Sequence, residues 1–455
     1  MNLKQKKNFK NELEKMDIFK PYIVIILILA FIVVAIPSSY FFDSLPRPSF
    51  QVYIMIMIGI IFFIIGLKFP NIITKFSKSF KNKMNVLKTI NVNKQSSALF
   101  FNSLNFKSLR LFKSVKTFKT FKSLKSFNLL KFLKSSKFFN SIELIILTLV
   151  LIGIVLQIIN LIILGGIPLF SGILKAKAAT KIWLFSYIFF IIGINILLSK
   201  FNSKIYYILL IIGLGLFTLT GYRTTPIAIL LSAFITLYYS KNMKIKYQMI
   251  FISIIAILLI VIGFIAVQSI EWQHWKLNAI ELLSYRAGFT LNILDRAIPL
   301  AGSTHGSLFY YTLTGFFKSI DPRVIVGEVI MGKTHSITST IFGPGILDFG
   351  WIGMGIQMFF IGFILKLIHI IQKHLKGIAT AFYGIILAQT IIWIETGPTD
   401  LVVWIFYFIG IILIIYYFYN IDSIAVENSI SNTDSLPNTY SASNRNSKVN
   451  HDKKK

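Results

Sequence analysis

The chain has 455 residues, of which 55% are hydrophobic and 14% are charged, with a formal net charge of +30 and no cysteine. A mean hydropathy of +0.71 excludes an ordinary soluble domain. The absence of cysteine excludes disulfides, thiolate catalysis and thiolate metal sites.

Long apolar stretches run through most of the chain, and none has a charged residue in its middle. Each is close to the ~20 apolar residues that cross ~30 Å of hydrocarbon, so we expect an all-α polytopic membrane protein. The first stretch has full span length and no small-residue cleavage site behind it, which favours a retained helix over a signal peptide. The ten predicted transmembrane helices are 21–38, 51–67, 143–164, 182–199, 205–222, 224–240, 248–268, 346–368, 377–395 and 401–419.

The basic residues predict the orientation of these spans. Short connections that carry lysine lie on the side of both termini, for example at Lys200, Lys204, Lys241 and Lys246. The positive-inside rule therefore places both termini in the cytoplasm of a multi-pass cell-membrane protein. Most of the surplus charge then lies beside anionic lipid, which accounts for it without nucleic acid.

Domain boundaries follow from the same pattern. Seven basic residues recur every third position: Lys107, Arg110, Lys113, Lys116, Lys119, Lys122 and Lys125. A period of three drifts ~60° per repeat around an α-helix, so this stripe favours a low-complexity loop on the inner leaflet over an amphipathic helix. The expected units are a cytoplasmic N-terminus at 1–20, helices 1–2 at 21–67, a basic cytoplasmic loop at 68–141, helices 3–10 at 142–420 with an external loop at 269–345, and a disordered cytoplasmic tail at 421–455.

The external loop has its own predicted element. Apolar positions across 276–298 suit an amphipathic helix on the outer membrane surface. Arg286 and Arg296 lie ~80° apart around that helix, so they need not serve one site. For Arg296, a local pair with Asp295 or a lipid headgroup is the simpler interpretation.

Polar groups are concentrated at the outer ends of the spans. A short hairpin holds Arg223 at the membrane surface, where its guanidinium suits either phosphate oxygens of a substrate or lipid headgroups. Asp348, at the entry of the eighth span, is costly unless it is paired, for instance with Arg223 or Lys333, or has a function. No convincing metal motif occurs, and the spans lack the midplane ionisable residues of proton-coupled transporters. Arginines with a carboxylate or histidine at membrane level would suit a lipid-linked diphosphate.

Three stretches carry a family resemblance: GGIPLF at 165–170, GYRTTP at 221–226 and TSTIFGPGILDFGWIG at 338–353, with weaker support from YRAGFT at 285–290. With these residues the chain resembles the oligosaccharide repeat-unit polymerases of the O-antigen polymerase family. The resemblance covers most of 143–370. The basic segment at 68–141 has no counterpart in it.

The resemblance implies a metal-independent glycosyltransferase without a cofactor. Its substrate would be a polyprenyl-diphosphate-linked oligosaccharide on the outer face of the membrane, and its partners would be membrane lipids, a flippase and a chain-length regulator. Arg223 and Arg286 would bind diphosphate. Asp348 would orient the site or act as the base, with His335 as the second candidate for the base and Glu395 as the third. The expected substrate-binding residues are Gly166, Pro168, Thr338, Thr340 and Glu395.

Three other functions remain open at this point. A glycan ligase that transfers finished polymer to a different acceptor would use nearly the same groups. A lipid-linked-oligosaccharide flippase or exporter is disfavoured by the uncharged midplanes and the charged external loop. A non-catalytic scaffold predicts that replacing Arg223 or Arg286 leaves glycan length unchanged.

Overall fold

The computed structural model describes residues 17–42, 45–90, 141–241, 246–250, 252–254, 256–257, 261, 278–318, 320–400 and 403–419. Within these residues every regular element is helical, as the hydropathy pattern predicts. Most of the N-terminal segment, the basic loop from 91 to 140, most of the seventh predicted span and the C-terminal tail lie outside the described residues.

The helices are numbered here in chain order. They are α1 (Ile23–Ala35), α2 (Ser38–Phe41), α3 (Phe50–Ile90), α4 (Ser141–Leu164), α5 (Gly172–Lys177), α6 (Lys181–Lys200), α7 (Ile205–Thr218), α8 (Thr224–Ser240), α9 (Ala279–Ala297), α10 (Ser307–Lys318), α11 (Pro322–Met331), α12 (Gly343–Leu375), α13 (Ile378–Thr396) and α14 (Val403–Tyr419), with 3-10 turns at Pro168–Phe170 and Ile298–Leu300.

Six helical segments in the described part of the chain are long and apolar enough to cross a membrane. They are Ile23–Tyr40, Phe50–Asn71, Ser141–Leu164, Lys181–Lys200, Gly343–Leu375 and Ile378–Thr396. Three shorter apolar helices, α7, α8 and α14, coincide with further predicted spans. Large apolar side chains such as Ile162, Ile211 and Ile412 are more than half exposed, as expected of surfaces that face lipid. The chain is a multi-pass membrane protein.

Helix α3 differs from the sequence prediction. We expected the second span to end at 67 and a loop to follow, but the helix continues to Ile90 with Pro70 inside it. Beyond Pro70 this segment has no glycine and no further proline, the two residues that most disfavour a helix, and its five lysines have favourable helix propensity. The first part of the predicted basic loop is therefore helical.

Helix α13 lies at the centre of the bundle. It packs against α8, α12, α6 and α14, and most of its side chains are buried, including Tyr383 and Trp393. Helix α3 packs along α12, and α4 packs along α6. Because both ends of α13 are fixed by neighbouring helices, its last turn gives a rigid base for side chains at one end of the bundle.

The helix predicted across 276–298 is present as α9 (Ala279–Ala297). It begins at a capping box in which Asn278 accepts from the backbone N–H groups of Ile280 and Glu281, and the Glu281 carboxylate accepts from the Asn278 N–H. Helix α9 packs against α1 and α2. This contact brings the middle of α9 to the end of the bundle where α8 begins and α13 ends.

Candidate functional site

An ion pair joins the start of α8 to the end of α13. Arg223 immediately precedes α8, and its guanidinium donates to the carboxylate of Glu395 in the last turn of α13. Both charges oppose the dipole of their own helix, because a cation is unfavourable at a helix N-terminus and an anion at a C-terminus. The pair therefore does not stabilise the two helices through their dipoles. Binding of a ligand is an alternative explanation for these charges.

Arg286, from the middle of α9, completes this cluster. Its guanidinium lies 3.8 Å from the Glu395 carboxylate and remains 38% exposed. Repulsion by Arg223, followed by burial, lowers the pKa of Arg286 to about 10, although Glu395 opposes the change. The cause is geometric: one carboxylate, Glu395, lies between the two guanidinium groups and neutralises only one of their charges. An anionic ligand would relieve that repulsion.

Lys175, in α5, adds a third cation. Burial lowers its pKa, and Arg223 and Arg286 lower it further, which places its ammonium group within their field. In the described part of the chain, the cluster thus has two guanidinium groups at the Glu395 carboxylate and the Lys175 ammonium group close enough to be repelled by both. We call Arg223, Arg286, Lys175 and Glu395 the arginine cluster. Its net positive charge, at the N-terminus of α8, suits a phosphate or diphosphate group.

An apolar cavity of about 520 Å³ leads away from the arginine cluster. Helices α1, α8, α9 and α13 line it, and Arg223, Arg286 and Glu395 form its polar end. Its wall is otherwise largely aliphatic and aromatic, with Ile23, Leu27, Phe31, Ile227, Leu231 and Ile391 among the lining residues. We call this cavity the arginine groove. It offers an apolar channel to a chain whose head group is an anion.

Close backbone contacts bring the sequence motifs together at this end. Gly221 has φ +72°, and a Cβ there would lie 3.2 Å from Leu169 Cα. The Leu169 N–H donates to the Leu219 carbonyl at 2.9 Å, and the Tyr222 hydroxyl donates to the Lys175 carbonyl at 2.9 Å. Only a glycine at 221 allows so close an approach without strain. The stretches 165–170 and 221–226 therefore form one surface.

The other expected substrate-binding residues lie in or near the surface formed by 165–170 and 221–226, or make close contacts through their backbone atoms. Pro168 is buried and Gly166 is half-buried, in the turn that follows α4. Thr340 is buried with φ +61°, and its carbonyl lies 2.7 Å from where a Cβ on Gly397 would be. Thr338 is half-buried in the same segment. These residues shape the loops around the arginine cluster but do not line the arginine groove.

The two expected catalytic residues do not join the arginine cluster. His335 is exposed in the segment after α11 and lines none of the cavities described here. Asp348 is 4% exposed and accepts three hydrogen bonds, from Thr304 Oγ1 at 2.6 Å, Leu308 N at 3.0 Å and Phe309 N at 2.7 Å. Its partners are therefore the N-terminus of α10 and a nearby threonine, not Arg223 or Lys333.

The neighbouring Asp295 and Arg296 also have other partners than the local pair expected. Asp295 accepts from the Ser49 N–H at 2.9 Å and from the Ser49 hydroxyl at 2.5 Å, which ties α9 to the start of α3. Arg296 donates from Nε to Asn292 Oδ1 at 3.1 Å. Arg296 is exposed, and the ~80° rotation around α9 directs it away from Arg286.

Sequence reasoning missed two parts of this region. Lys175 gave no signal beyond its position a few residues after GGIPLF. A second charge network also lies here: the Arg323 guanidinium donates to Asp321 through Nε at 3.0 Å and to Asp400 at 3.4 Å. Asp321 and Asp400 are far apart in sequence, so only the fold brings them to one arginine. Among the described residues no group of three His, Asp or Glu side chains is placed to hold a metal ion.

Comparisons with known proteins agree with this architecture. The family model described as "Putative O-antigen polymerase" matches residues 17–407. The chain is similar to two uncharacterized proteins of Methanocaldococcus jannaschii. It is 26% identical to MJ0419 over 59% of this chain and 75% of that protein, and 30% identical to MJ0420 over 54% of this chain and 59% of that protein. No solved structure matches the chain.

Proposed function

The chain belongs to the O-antigen polymerase family, and we propose that it is a membrane glycosyltransferase that polymerises oligosaccharide repeat units carried on a polyprenyl diphosphate. The observation that carries this proposal is the arginine groove, in which an apolar channel ends at a cluster of cations. A lipid diphosphate has the same two parts, an apolar chain and a doubly charged head. The arginine cluster therefore matches the leaving group of such a transfer.

The proposed reaction forms one glycosidic bond per cycle. A hydroxyl oxygen on the terminal sugar of the incoming unit attacks the anomeric carbon of the growing glycan. The bond between that carbon and the diphosphate oxygen breaks, and the electron pair leaves with the polyprenyl diphosphate. Arg223 and Arg286 hold and neutralise the negative charge that develops on the leaving oxygen. The hydroxyl proton passes to a carboxylate at the site.

The dimensions of the arginine groove support the same assignment. A volume of about 520 Å³ lies within the ~300–1,000 Å³ typical of ligand cavities. It can hold the diphosphate-proximal part of a polyprenyl chain, while the remainder lies in the bilayer beside α1 and α9. Glu395 neutralises Arg223 when no diphosphate is bound, which keeps two guanidinium groups tolerable at one site.

The sidedness that we propose rests on the lysines at the opposite end of the bundle. Lys241 donates to the Phe201 carbonyl at 3.3 Å, at the end of α6 remote from Trp183 and Tyr222. The positive-inside rule places that end in the cytoplasm, so the arginine cluster faces outward. An outward site needs a flippase to deliver its lipid-linked units, and a chain-length regulator is a further expected partner.

The test is surface-glycan chain length in a strain that lacks the gene, complemented with wild type, Arg223→Ala or Arg286→Ala. We expect a ladder of polymers from wild type and single repeat units from both variants, because losing one oxyanion-stabilising donor reduces such rates by ~10²–10³-fold. Arg296→Ala is the matched control, since Arg296 lies on the same helix as Arg286 but is bonded to Asn292.

All variants must be present in the membrane at equal abundance. A ladder in every strain, including the deletion strain, would contradict the polymerase proposal. If the deletion strain keeps its polymer on the lipid carrier but fails to attach it to the final acceptor, the chain is a ligase. Translocation of labelled units in vesicles without bond formation would instead identify a flippase.

A further inference from the structure

A second cavity adjoins the arginine groove. It has a volume of about 240 Å³ and lies between α6, α8 and α13, with Arg323 and the segment around Asp400 closing one side. Thr224 and Ile392 line both cavities. We call this second cavity the aromatic pocket. Because Thr224 directly follows Arg223 in the chain, a ligand in the aromatic pocket is a neighbour of a diphosphate in the arginine groove.

One wall of the aromatic pocket is built of aromatic rings. Trp183 stacks on Tyr187 with ring centroids 5.9 Å apart and an interplanar angle of 6°, and Tyr222 contacts Trp183 at 5.7 Å. The indole N–H of Trp183 is buried without a hydrogen-bond partner among the described residues. Buried polar groups of this kind are normally satisfied, so this wall contains a donor that the described residues leave unpaired.

Charged groups also line the aromatic pocket. Arg323 donates to Asp321 through Nε at 3.0 Å and through a terminal nitrogen at 3.0 Å, so its planar fork is held in one orientation. Its other terminal nitrogen lies 3.4 Å from Asp400, whose side chain remains 28% exposed. The contact between Arg323 and Asp400 is thus longer than its bidentate contact with Asp321, and the Trp393 side chain also lies within reach of the Asp400 carboxylate.

The environment of Asp400 suits proton transfer. Burial raises the pKa of the Asp400 carboxyl above its ordinary value, Arg323 opposes this rise, and Asp321 adds to it. A carboxylate with a raised pKa is a better general base than an ordinary one, because its affinity for the proton is closer to that required at neutral pH. Asp400 lies outside the membrane-spanning helices, between the ends of α13 and α14.

The size and chemistry of the aromatic pocket indicate its ligand class. About 240 Å³ is below the ~300–1,000 Å³ range of pockets for drug-sized molecules, and corresponds to roughly eight water volumes. A lining that combines aromatic rings with carboxylates, an amide at Gln389 and an ammonium at Lys181 suits a polyhydroxylated ring. The lining is too polar for a lipid chain.

We propose that the aromatic pocket binds the terminal sugar of the acceptor unit and that Asp400 is the carboxylate that accepts the proton of the attacking hydroxyl. This inference rests on the proposed function and extends it to the second substrate. The sugar oxygen bonds to the anomeric carbon of the donor, the carbon–oxygen bond to diphosphate breaks, and the proton moves to Asp400 Oδ. Asp400 later returns the proton to the departing diphosphate or to water.

The experiment separates the two substrates with two probes on the full-length protein in detergent or vesicles. A polyprenyl diphosphate without sugar reports on the arginine groove alone. A repeat-unit oligosaccharide released from its lipid can act only as an acceptor, so its concentration reports on the aromatic pocket. Lipid-linked units that accumulate in the deletion strain serve as the donor. Trp351→Ala, at an exposed tryptophan of α12 outside both cavities, is the control for Trp183→Ala.

We expect Asp400→Asn to reduce transfer by ~10²–10⁴-fold while sugar-free polyprenyl diphosphate still binds within twofold of wild type. Wild-type transfer should fall as pH is lowered through the raised pKa of Asp400, because the protonated carboxyl cannot accept a proton. The residual transfer by Asp400→Asn should lack this decline. Trp183→Ala should raise the KM for the free oligosaccharide about tenfold with a smaller change in kcat, and Trp351→Ala should change neither.

Three results would overturn the inference. The first is wild-type transfer by Asp400→Asn. The second is an unchanged KM for the oligosaccharide in Trp183→Ala. The third is loss of polyprenyl diphosphate binding together with transfer in Asp400→Asn, which would make the Arg323 network a purely structural tie. If Arg223→Ala abolishes transfer while the Asp400 and Trp183 variants retain it, the proposed function stands without this inference. If wild type transfers nothing, the proposed function itself fails.

Discussion

In the described part of this protein, two of the apolar cavities have nearly equal size and differ in the groups that surround the carboxylate of each. The arginine groove has about 520 Å³ and ends at Glu395. The second, which we call the aspartate groove, has about 530 Å³, lies between α10, α12 and α14, and ends at Asp348. Glu395 faces two guanidinium groups, whereas Asp348 accepts from two backbone N–H groups and a threonine hydroxyl.

The difference lies in which partners a ligand can replace. Arg223 and Arg286 are partly exposed and can exchange the Glu395 carboxylate for phosphate oxygens without leaving a buried group unsatisfied. The N–H groups of Leu308 and Phe309 begin α10 and cannot turn to another acceptor once Asp348 is removed. Volume and apolar lining therefore do not distinguish a substrate groove from a packing defect, but the exchangeability of the charged partners does.

The largest effect that we expect is a loss of stability when Asp348 is replaced. Asp348→Ala should lower the stability of the folded protein by at least ~3 kcal/mol, because each buried donor left without a partner costs ~1–3 kcal/mol. Membrane abundance and the Tm in detergent should fall together. Asp348→Asn keeps an oxygen acceptor and should retain polymerisation per folded molecule.

The informative comparison is between these two variants. If Asp348→Asn has the Tm of wild type yet makes only single repeat units, Asp348 has a chemical role, as its sequence position suggested. The interpretation of Glu395 as a functional carboxylate and of Asp348 as a purely structural one would then be wrong.

A matched pair of groove-filling substitutions gives an intermediate effect. Val34 lines the arginine groove and Ile356 lines the aspartate groove, and both are β-branched helical residues with 36% and 49% of their surface exposed. Val34→Trp should weaken binding of sugar-free polyprenyl diphosphate about tenfold, since the indole occupies volume that the lipid chain needs. Ile356→Trp should leave that binding unchanged.

Equilibrium binding of labelled polyprenyl diphosphates of two chain lengths measures this difference. Val34→Trp should also reduce the gain in affinity that a longer chain gives to wild type. Equal losses in the two variants would show that the protein does not use the two grooves differently.

The fold was largely predictable because membrane spans are specified by local composition. Apolar length predicted the helices, and period-3.6 spacing predicted α9. Helix α3 continued past its predicted end because a change from apolar to basic residues does not stop a helix, and the segment beyond Pro70 contains no glycine. The seventh span and the basic segment from 91 to 140 remain predictions.

The site was predictable only for residues that the local sequence around them was enough to identify. Arg223 could be singled out because a short hairpin places a guanidinium at the membrane surface, and Arg286 because it lies in a motif on an amphipathic helix. The partners of Asp348 are backbone groups of another loop, which no side-chain pattern reveals. Asp400 and Arg323 meet only because the fold brings the start of α11 to the segment between α13 and α14, so sequence spacing gave no indication of their network.

The smallest effect is expected for Glu395→Gln. This variant tests most directly whether Arg223 and Arg286 exchange the Glu395 carboxylate for a diphosphate. If diphosphate replaces Glu395 on the arginines, removing the carboxylate charge removes a competitor, so affinity for sugar-free polyprenyl diphosphate should rise. A gain of about threefold corresponds to the ~0.2–1 kcal/mol of a partly exposed ion pair. The gain should shrink at high salt, which screens the same charges. Glu328→Gln, at an exposed glutamate of α11, should change nothing. A loss of affinity in Glu395→Gln would mean instead that Glu395 positions Arg223 and Arg286 for the ligand, and that the arginine cluster is preorganised by its carboxylate, not masked by it.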